Sequence, residues 1–294
     1  MGGGLLFTVN VLMVTKPAWF GLAGADSAVA VSFITVTLWW AGFTIPLLSG
    51  VKEAPTVGQA APGRAVREGV TQLLSTFREI RKLKVLLLFL VGYWLYIDAV
   101  NTVIKVAVFF GGRVLNLPTQ DLVIALLVTQ FVAFPAALGF GWLGKWIGPR
   151  PAILVGLAVY LAAITYAWRW LDSSADFFKL AIAIGLVQGG VQSLSRSLYA
   201  RLIPKSKTAE FFGFFNMVGK FASILGPLLM AAVPWVLAGT DKRDGILSLS
   251  LLFLLGGFLL WKVDVRKGSR AAQAMDEANS QKHSIRAGDQ GAGS

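Results

Sequence analysis

The sequence predicts an all-α polytopic membrane bundle, and three observations carry that prediction. Only 14% of the 294 residues are charged while 55% are hydrophobic, with a mean hydropathy of +0.67. A soluble domain carries roughly a quarter of its residues as Asp, Glu, Lys and Arg. Apolar runs near the twenty residues that a spanning helix needs recur along the whole chain. The basic residues, finally, are sorted by side. The absence of cysteine and the single histidine leave almost nothing for a zinc site, a thiol nucleophile or a histidine-based triad. The expectation is therefore no enzyme, no cofactor and no metal.

Taken in order, residues 2–15 (GGGLLFTVNVLMVT) are apolar but only fourteen long. At 1.5 Å per residue they reach about 21 Å, short of a hydrocarbon core of about 30 Å. The basic start and small-residue cleavage site of a signal peptide are both missing, so this run reads as the second half of a helix. Full-length spans are expected at 29–50, 85–111, 120–141, 151–170, 176–199, 210–237 and 245–262. Most tryptophans flank them, as an aromatic belt does.

Counted over alternate gaps, eighteen cations fall on one side and six on the other. The rich side holds loop 51–84, the turns with Lys145, Arg150, Arg201, Lys205 and Lys207, and the tail after 262. That asymmetry makes the rich side cytoplasmic and accounts for a net charge of +12 without a nucleic-acid partner. The long loop ends in RAVREGVTQLLSTFREIRKLK, where Val70, Leu73, Leu74, Phe77 and Ile80 recur at helical spacing among basic residues. Such a helix lies in the headgroup plane or joins two bundles. The tail 263–294 is polar, rich in small residues and expected to be disordered.

Polar residues inside a span face protein or a water-filled cavity. The spans 29–50, 151–170 and 245–262 are plain and are expected at the lipid-facing periphery. In 85–111, Asp98, Asn101, Thr102 and Lys105 share about 100° of arc. Asp98 sits mid-span, where a carboxylate is costly, and is the candidate for proton coupling; Lys105 can snorkel outward, or the two can form a purely structural face. Tyr93, Trp94 and Tyr96 precede them, and Trp94 could stack on a ligand. In 176–199, Gln188, Gln192, Ser195, Arg196 and Tyr199 form a polar face, with Gly190, Ser193 and Ser197 opposite as a packing face. Arg196 either lines the pathway or snorkels to phosphate. In 210–237, Asn216, Lys220, Ser223 and Pro227 share a face, and Gly226-Pro227 breaks the helix. Lys220 is either a counter-ion for Asp98 or a ligand for a substrate carboxylate. Gln130 in 120–141 is a weaker pathway candidate.

The runs GGGLLFTVNVLMVTKPAWFGL, YWLYIDAVNTVIKVAVFFG, LVTQFVAFPAALGFGWLG and GLVQGGVQSLSRSLYARLIPKSKTAEFFGFFNMVGKFASILGPLL resemble the vacuole-effluxer branch of the major facilitator superfamily. The resemblance implies a partial fold of that type: the end of helix five, helix six and the complete C-terminal six-helix half. It divides the chain into a remnant of the first bundle (1–50), a cytoplasmic linker (51–84), a six-helix bundle (85–262) and a tail (263–294). It implies a secondary active transporter of a small polar solute, with amino-acid efflux and proton coupling as the specific expectation. The location implied is the plasma membrane, the inner membrane if the source is bacterial. It also implies a chain lacking the first four helices and dependent on them for activity. The alternative is a non-transporting scaffold or lipid-binding half-transporter. The superfamily's gating-loop pattern G-x-L-x-D-R-x-G falls on Gly141, Lys145 and Gly148, followed by Arg150, with lysine and tryptophan where the acid and base normally stand.

Overall fold

The computed structural model describes residues 2–50, 62–113, 115–236 and 244–291, with side chains described from 4–50, 67–113, 115–232 and 244–281. Every regular element in these segments is helical. The short apolar run forms α1 (Gly2–Thr15), and α2 (Ala25–Gly50) returns beside it, joined by the hydrogen bond from Thr35 Oγ1 to Asn10 Oδ1 at 2.9 Å. The basic segment forms α3 (Pro62–Lys82). The remaining spans are α4 (Lys84–Arg113), α5 (Thr119–Trp146), α6 (Pro149–Trp170) and α7 (Ser174–Leu202). Then come the pair α8 (Thr208–Phe221) and α9 (Leu225–Val236), and α10 (Asp244–Trp261). Seven of these units, with α8 and the start of α9 taken together, are long and apolar enough to cross a membrane.

The core lies along α4 and α7. In α4, 61% of the most apolar stretch is buried, and in α7 half. Small residues set the approach of their neighbours, as they do where lipid offers no hydrophobic drive for helix association. A Cβ on Gly256 of α10 would stand 2.9 Å from the Gly92 carbonyl of α4. One on Gly185 of α7 would stand 2.9 Å from the Thr129 carbonyl of α5, and Gly190 admits the Phe140 ring where any side chain would collide with it.

Two expectations about helix faces change. The plain spans α6 and α10 are substantially buried, at 44% and 39%, whereas α5 with its Gln130 is only 6% buried. The cause is that α6 and α10 pack on α7, α4 and each other, while α5 meets the bundle along one glycine-lined seam. In α7, Ser195 and Tyr199 are fully buried against α4 and α8, and Ser193 and Ser197 are exposed. Helices α4, α5, α6 and α11 all pack on α7, so burial covers more than one stripe and a two-faced reading of its sequence fails.

The tail departs from the expected disorder. After Asp264, residues Val265–Gly291 form a further helix, α11. Asp264 starts it, accepting the Lys267 amide at 3.0 Å. Asp276 anchors it by accepting the amides of Lys205 (2.7 Å) and Ser206 (3.0 Å) and the Ser206 hydroxyl (2.6 Å) in the turn before α8. Gly268 lets the helix approach so closely that a Cβ there would lie 2.5 Å from Leu202 and 2.9 Å from Val85. These carboxylate contacts, with Val265, Ala272 and Met275 packed against the bundle, accompany a helix where composition alone is that of a solvated tail.

Candidate functional site

The apolar run 210–237, long enough to cross in one piece, is interrupted. α8 ends at Phe221, the chain bends through Ala222 and Ser223, and α9 begins at Leu225. A break leaves carbonyls unpaired at the end of the first half and amides unpaired at the start of the second. Inside a bilayer such groups must find partners in the protein. Here one helix, α4, supplies both kinds. The amides of Ile224 (3.2 Å) and Leu225 (2.9 Å) donate to Asp98 Oδ2, and the Gly226 amide donates to Asp98 Oδ1 at 2.8 Å. Asn101, one turn further along α4, donates its Nδ2 to the Ala222 carbonyl at 2.9 Å. Thr102 adds a longer hydroxyl bond to Asp98 Oδ1, 3.3 Å.

Asp98 has no solvent exposure. Its charge faces the positive end of α9, so the helix dipole and three amides compensate what burial costs. Gly226 is required here: a Cβ would collide with Thr102 Oγ1 and lie 2.8 Å from Asp98 Oδ1. Beside the break, Tyr93 stacks on Phe215 of α8 with ring centroids 4.3 Å apart. Tyr96 shares a 2.7 Å hydrogen bond with Ser195 of α7. Tyr199 donates to the Phe211 carbonyl at 2.6 Å. Tyr93 and Tyr96 thus belong to the packing of α4 and not to a ligand-stacking surface; Trp94 is half-buried.

The other sequence candidates divide by exposure. Asn216, Lys220, Lys105, Arg196 and Gln130 are exposed, and Gln188 and Gln192 are half-buried. Lys220 is not the partner of Asp98, whose hydrogen bonds go to the three amides and to Thr102; the backbone has taken the counter-ion's place. The side-chain carbonyl of Gln188 is buried without a protein partner. Gln130 lines a cleft of about 280 Å³ with Gly4, Leu5, Phe131, Ala133 and Phe134. In the gating-loop segment, a Cβ on Gly141 would meet open space, Lys145 is exposed, and Gly148 precedes α6 with φ +92°, a conformation that favours glycine. Arg150 donates from Nη1 to the Val263 carbonyl at 2.7 Å, tying the start of α6 to the end of α10. Sequence reasoning singled out Asp98, Asn101 and the Gly226-Pro227 break separately. It missed that they form one site, because the linking groups are main-chain amides and a carbonyl, which leave no mark in side-chain spacing. Among the described residues no cluster of His, Asp or Glu could hold a metal ion.

A helical bundle with seven units long and apolar enough to cross a membrane, one of them broken and pinned by a buried carboxylate, defines a multi-pass integral membrane protein. A family model described as vacuole effluxer Atg22 like matches residues 1–273, and the chain belongs to that family. Among curated relatives it is similar to the MFS-type transporter YxiO of Bacillus subtilis, at 35% identity over 86% of this chain and 58% of that protein. It is also similar to Autophagy-related protein 22-2 of Penicillium rubens, at 26% over 94% of the chain and 49% of the relative. Autophagy-related protein 22 of Gibberella zeae matches at 27% over 80% and 39%. The chain thus spans about half the length of the curated relatives it matches. No solved structure matches it.

Proposed function

We propose that this protein forms the cavity-lining half of a proton-coupled transporter for a small polar solute of the amino-acid class, working as an effluxer. One observation supports this above the others: the fully buried Asp98 carboxylate accepts the amides at one end of an interrupted span while the neighbouring Asn101 donates to the carbonyl at its other end. Interrupted helices at mid-membrane serve transporters as binding and moving segments. Protonating Asp98 removes the charge that caps α9 and weakens its hold on three amides at once. The break is then free to reorient α9 against α8, and proton binding becomes linked to movement of the pathway wall.

On this proposal the solute sits against the exposed and half-buried polar groups of α7 and α8. Lys220 takes its carboxylate, Asn216, Gln192 and the unpartnered Gln188 carbonyl take its remaining polar groups, and Arg196, Lys105 and Gln130 lie toward the ends of the path. Lys145 and Arg150 would act in the gating loop. The bias of basic residues toward the side of α3 and α11 supports a cytoplasmic location for both.

The test is ligand-dependent thermal unfolding of the detergent-solubilised chain against single amino acids, their amides and their N-acetyl derivatives. A ligand at 100 times its Kd stabilises by about 2.7 kcal/mol. Stabilisation by a free amino acid, lost with its amide and lost in Lys220→Met, is the expected result. A flat response to every solute overturns the solute-binding proposal and favours a scaffold.

A further inference from the structure

The helix α3 carries an uncovered apolar stripe. Thr76 and Ile80 are buried against the bundle, but Val70 (52%), Leu73 (38%), Leu74 (52%) and Phe77 (40%) keep much of their surface exposed. Beside the stripe stand Arg67, Arg78, Arg81 and Lys82, all exposed. At 100° per residue the four apolar side chains cover about 100° of arc; Arg67, Arg78 and Lys82 occupy the adjoining flank, and Arg81 stands at the C-terminal end of the stripe's own line. Of the two acids on this part of the helix, Glu79 is paired with Lys207, so the flank is strongly positive. The helix also sits where a bilayer surface must be: it ends at Lys82, and the spanning helix α4 begins at Lys84.

We propose that this face of α3 docks on anionic phospholipid headgroups, with the stripe sunk to the acyl boundary and the arginine flank on the phosphates. An apolar stripe bordered by cations beside a membrane entry point fits that occupant by charge as well as by polarity. The surface is mechanically connected to the broken span. Phe77 stacks on Phe214 of α8 with centroids 6.0 Å apart, and the Glu79–Lys207 pair holds α3 to the turn that opens α8. Lipid engagement of α3 therefore bears on the first half of the interrupted helix. This inference rests on the membrane-spanning fold and does not require the solute assignment above.

The chain has no cysteine, so single cysteines can report on it without background. Leu74→Cys and Gln72→Cys, each labelled with an environment-sensitive fluorophore, are compared in nanodiscs of phosphatidylcholine alone and of phosphatidylcholine with one-third phosphatidylglycerol (a fraction of about 0.3 suffices to make the surface potential negative). In the anionic discs the label at 74 is expected to shift to the blue and to be at least about twofold less accessible to an aqueous quencher than the label at 72. About 0.5 M salt, which shortens the screening length, reverses the shift without any mutation. Charge reversal of Arg67, Arg78 and Arg81 to Glu reverses it as well. Equal accessibility at 72 and 74 in anionic discs overturns the proposal. So does protection at 74 that is indifferent to lipid charge and salt, which marks apolar burial without headgroup recognition or a protein occupant.

Discussion

The carboxylate of Asp98 on α4 accepts the amide of Gly226 at 2.8 Å from a half-helix 128 residues further along the chain. Two more amides and the neighbouring bond from Asn101 to Ala222 complete a joint at which one intact span holds both ends of a broken one. The contact is charged, buried and made to main chain, so its loss has consequences unlike those of a surface ion pair.

Asp98→Ala leaves three amides in a buried site with no acceptor. Each unmade buried bond costs about 1–3 kcal/mol, so the variant is expected to lose about 3–5 kcal/mol and to unfold at markedly lower temperature in detergent. Asp98→Asn keeps the shape and one carbonyl acceptor, and is expected to lose less than half as much. Thermal unfolding of the two variants side by side checks the order. Equal losses would mean that packing, and not the acceptor pair, holds the joint.

Gly226→Ala places a methyl against Thr102 and within 2.8 Å of Asp98 Oδ1. Overpacking of this kind costs about 1–3 kcal/mol. Gly213→Ala in α8, with open space around it, serves as the control and is expected to be neutral or slightly stabilising. Unfolding temperatures of the pair measure the difference.

Lys220→Met and Asn101→Leu separate the pathway from the joint. Lys220 is exposed and makes no bond to Asp98, so its replacement leaves the unfolding temperature within about 1 °C of the parent while removing solute-dependent stabilisation. Asn101→Leu frees the Ala222 carbonyl and costs about 1–2 kcal/mol whatever solute is present.

The α11 anchor has its own pH dependence. Burial works to raise the Asp276 carboxyl, but the bonds from Ser206 and Lys205 outweigh it and hold the group below the usual carboxylate range. The Lys267 amide does the same for Asp264 against a smaller burial effect. A depressed carboxylate contributes stability that is fully present above its unfolded value, near 3.9, and is lost as pH falls through the lower folded value. Limited proteolysis of α11 is therefore expected to be slow and constant at neutral and mildly acidic pH and to accelerate only below about pH 4. Asp276→Asn should be cleaved faster already at pH 7.

The spans were legible because a helix that crosses a bilayer must be apolar for some twenty residues, and no tertiary context overrides that need. Asp98 and Asn101 were legible for the complementary reason: polar groups at such depth must have a use. Their partners were not, since the amides of Ile224, Leu225 and Gly226 look like any others in a sequence. Lys220 was the natural counter-ion by charge alone, yet a helix N-terminus satisfied the same carboxylate. The helix after Asp264 escaped notice because the face it buries, Val265, Gly268, Ala272 and Met275, is mostly small and leaves only a weak apolar stripe among polar residues.

Hydrogen exchange at the amides of residues 224–226 tests the joint most directly. At neutral pH these three amides are expected to be as well protected as those in the middle of α10. In Asp98→Asn they are expected to exchange at least about tenfold faster while α10 is unchanged, a difference of about 1.4 kcal/mol in local opening. Protection at 224–226 that is the same with and without the Asp98 charge would contradict the account, because the break would then be held by something other than that carboxylate.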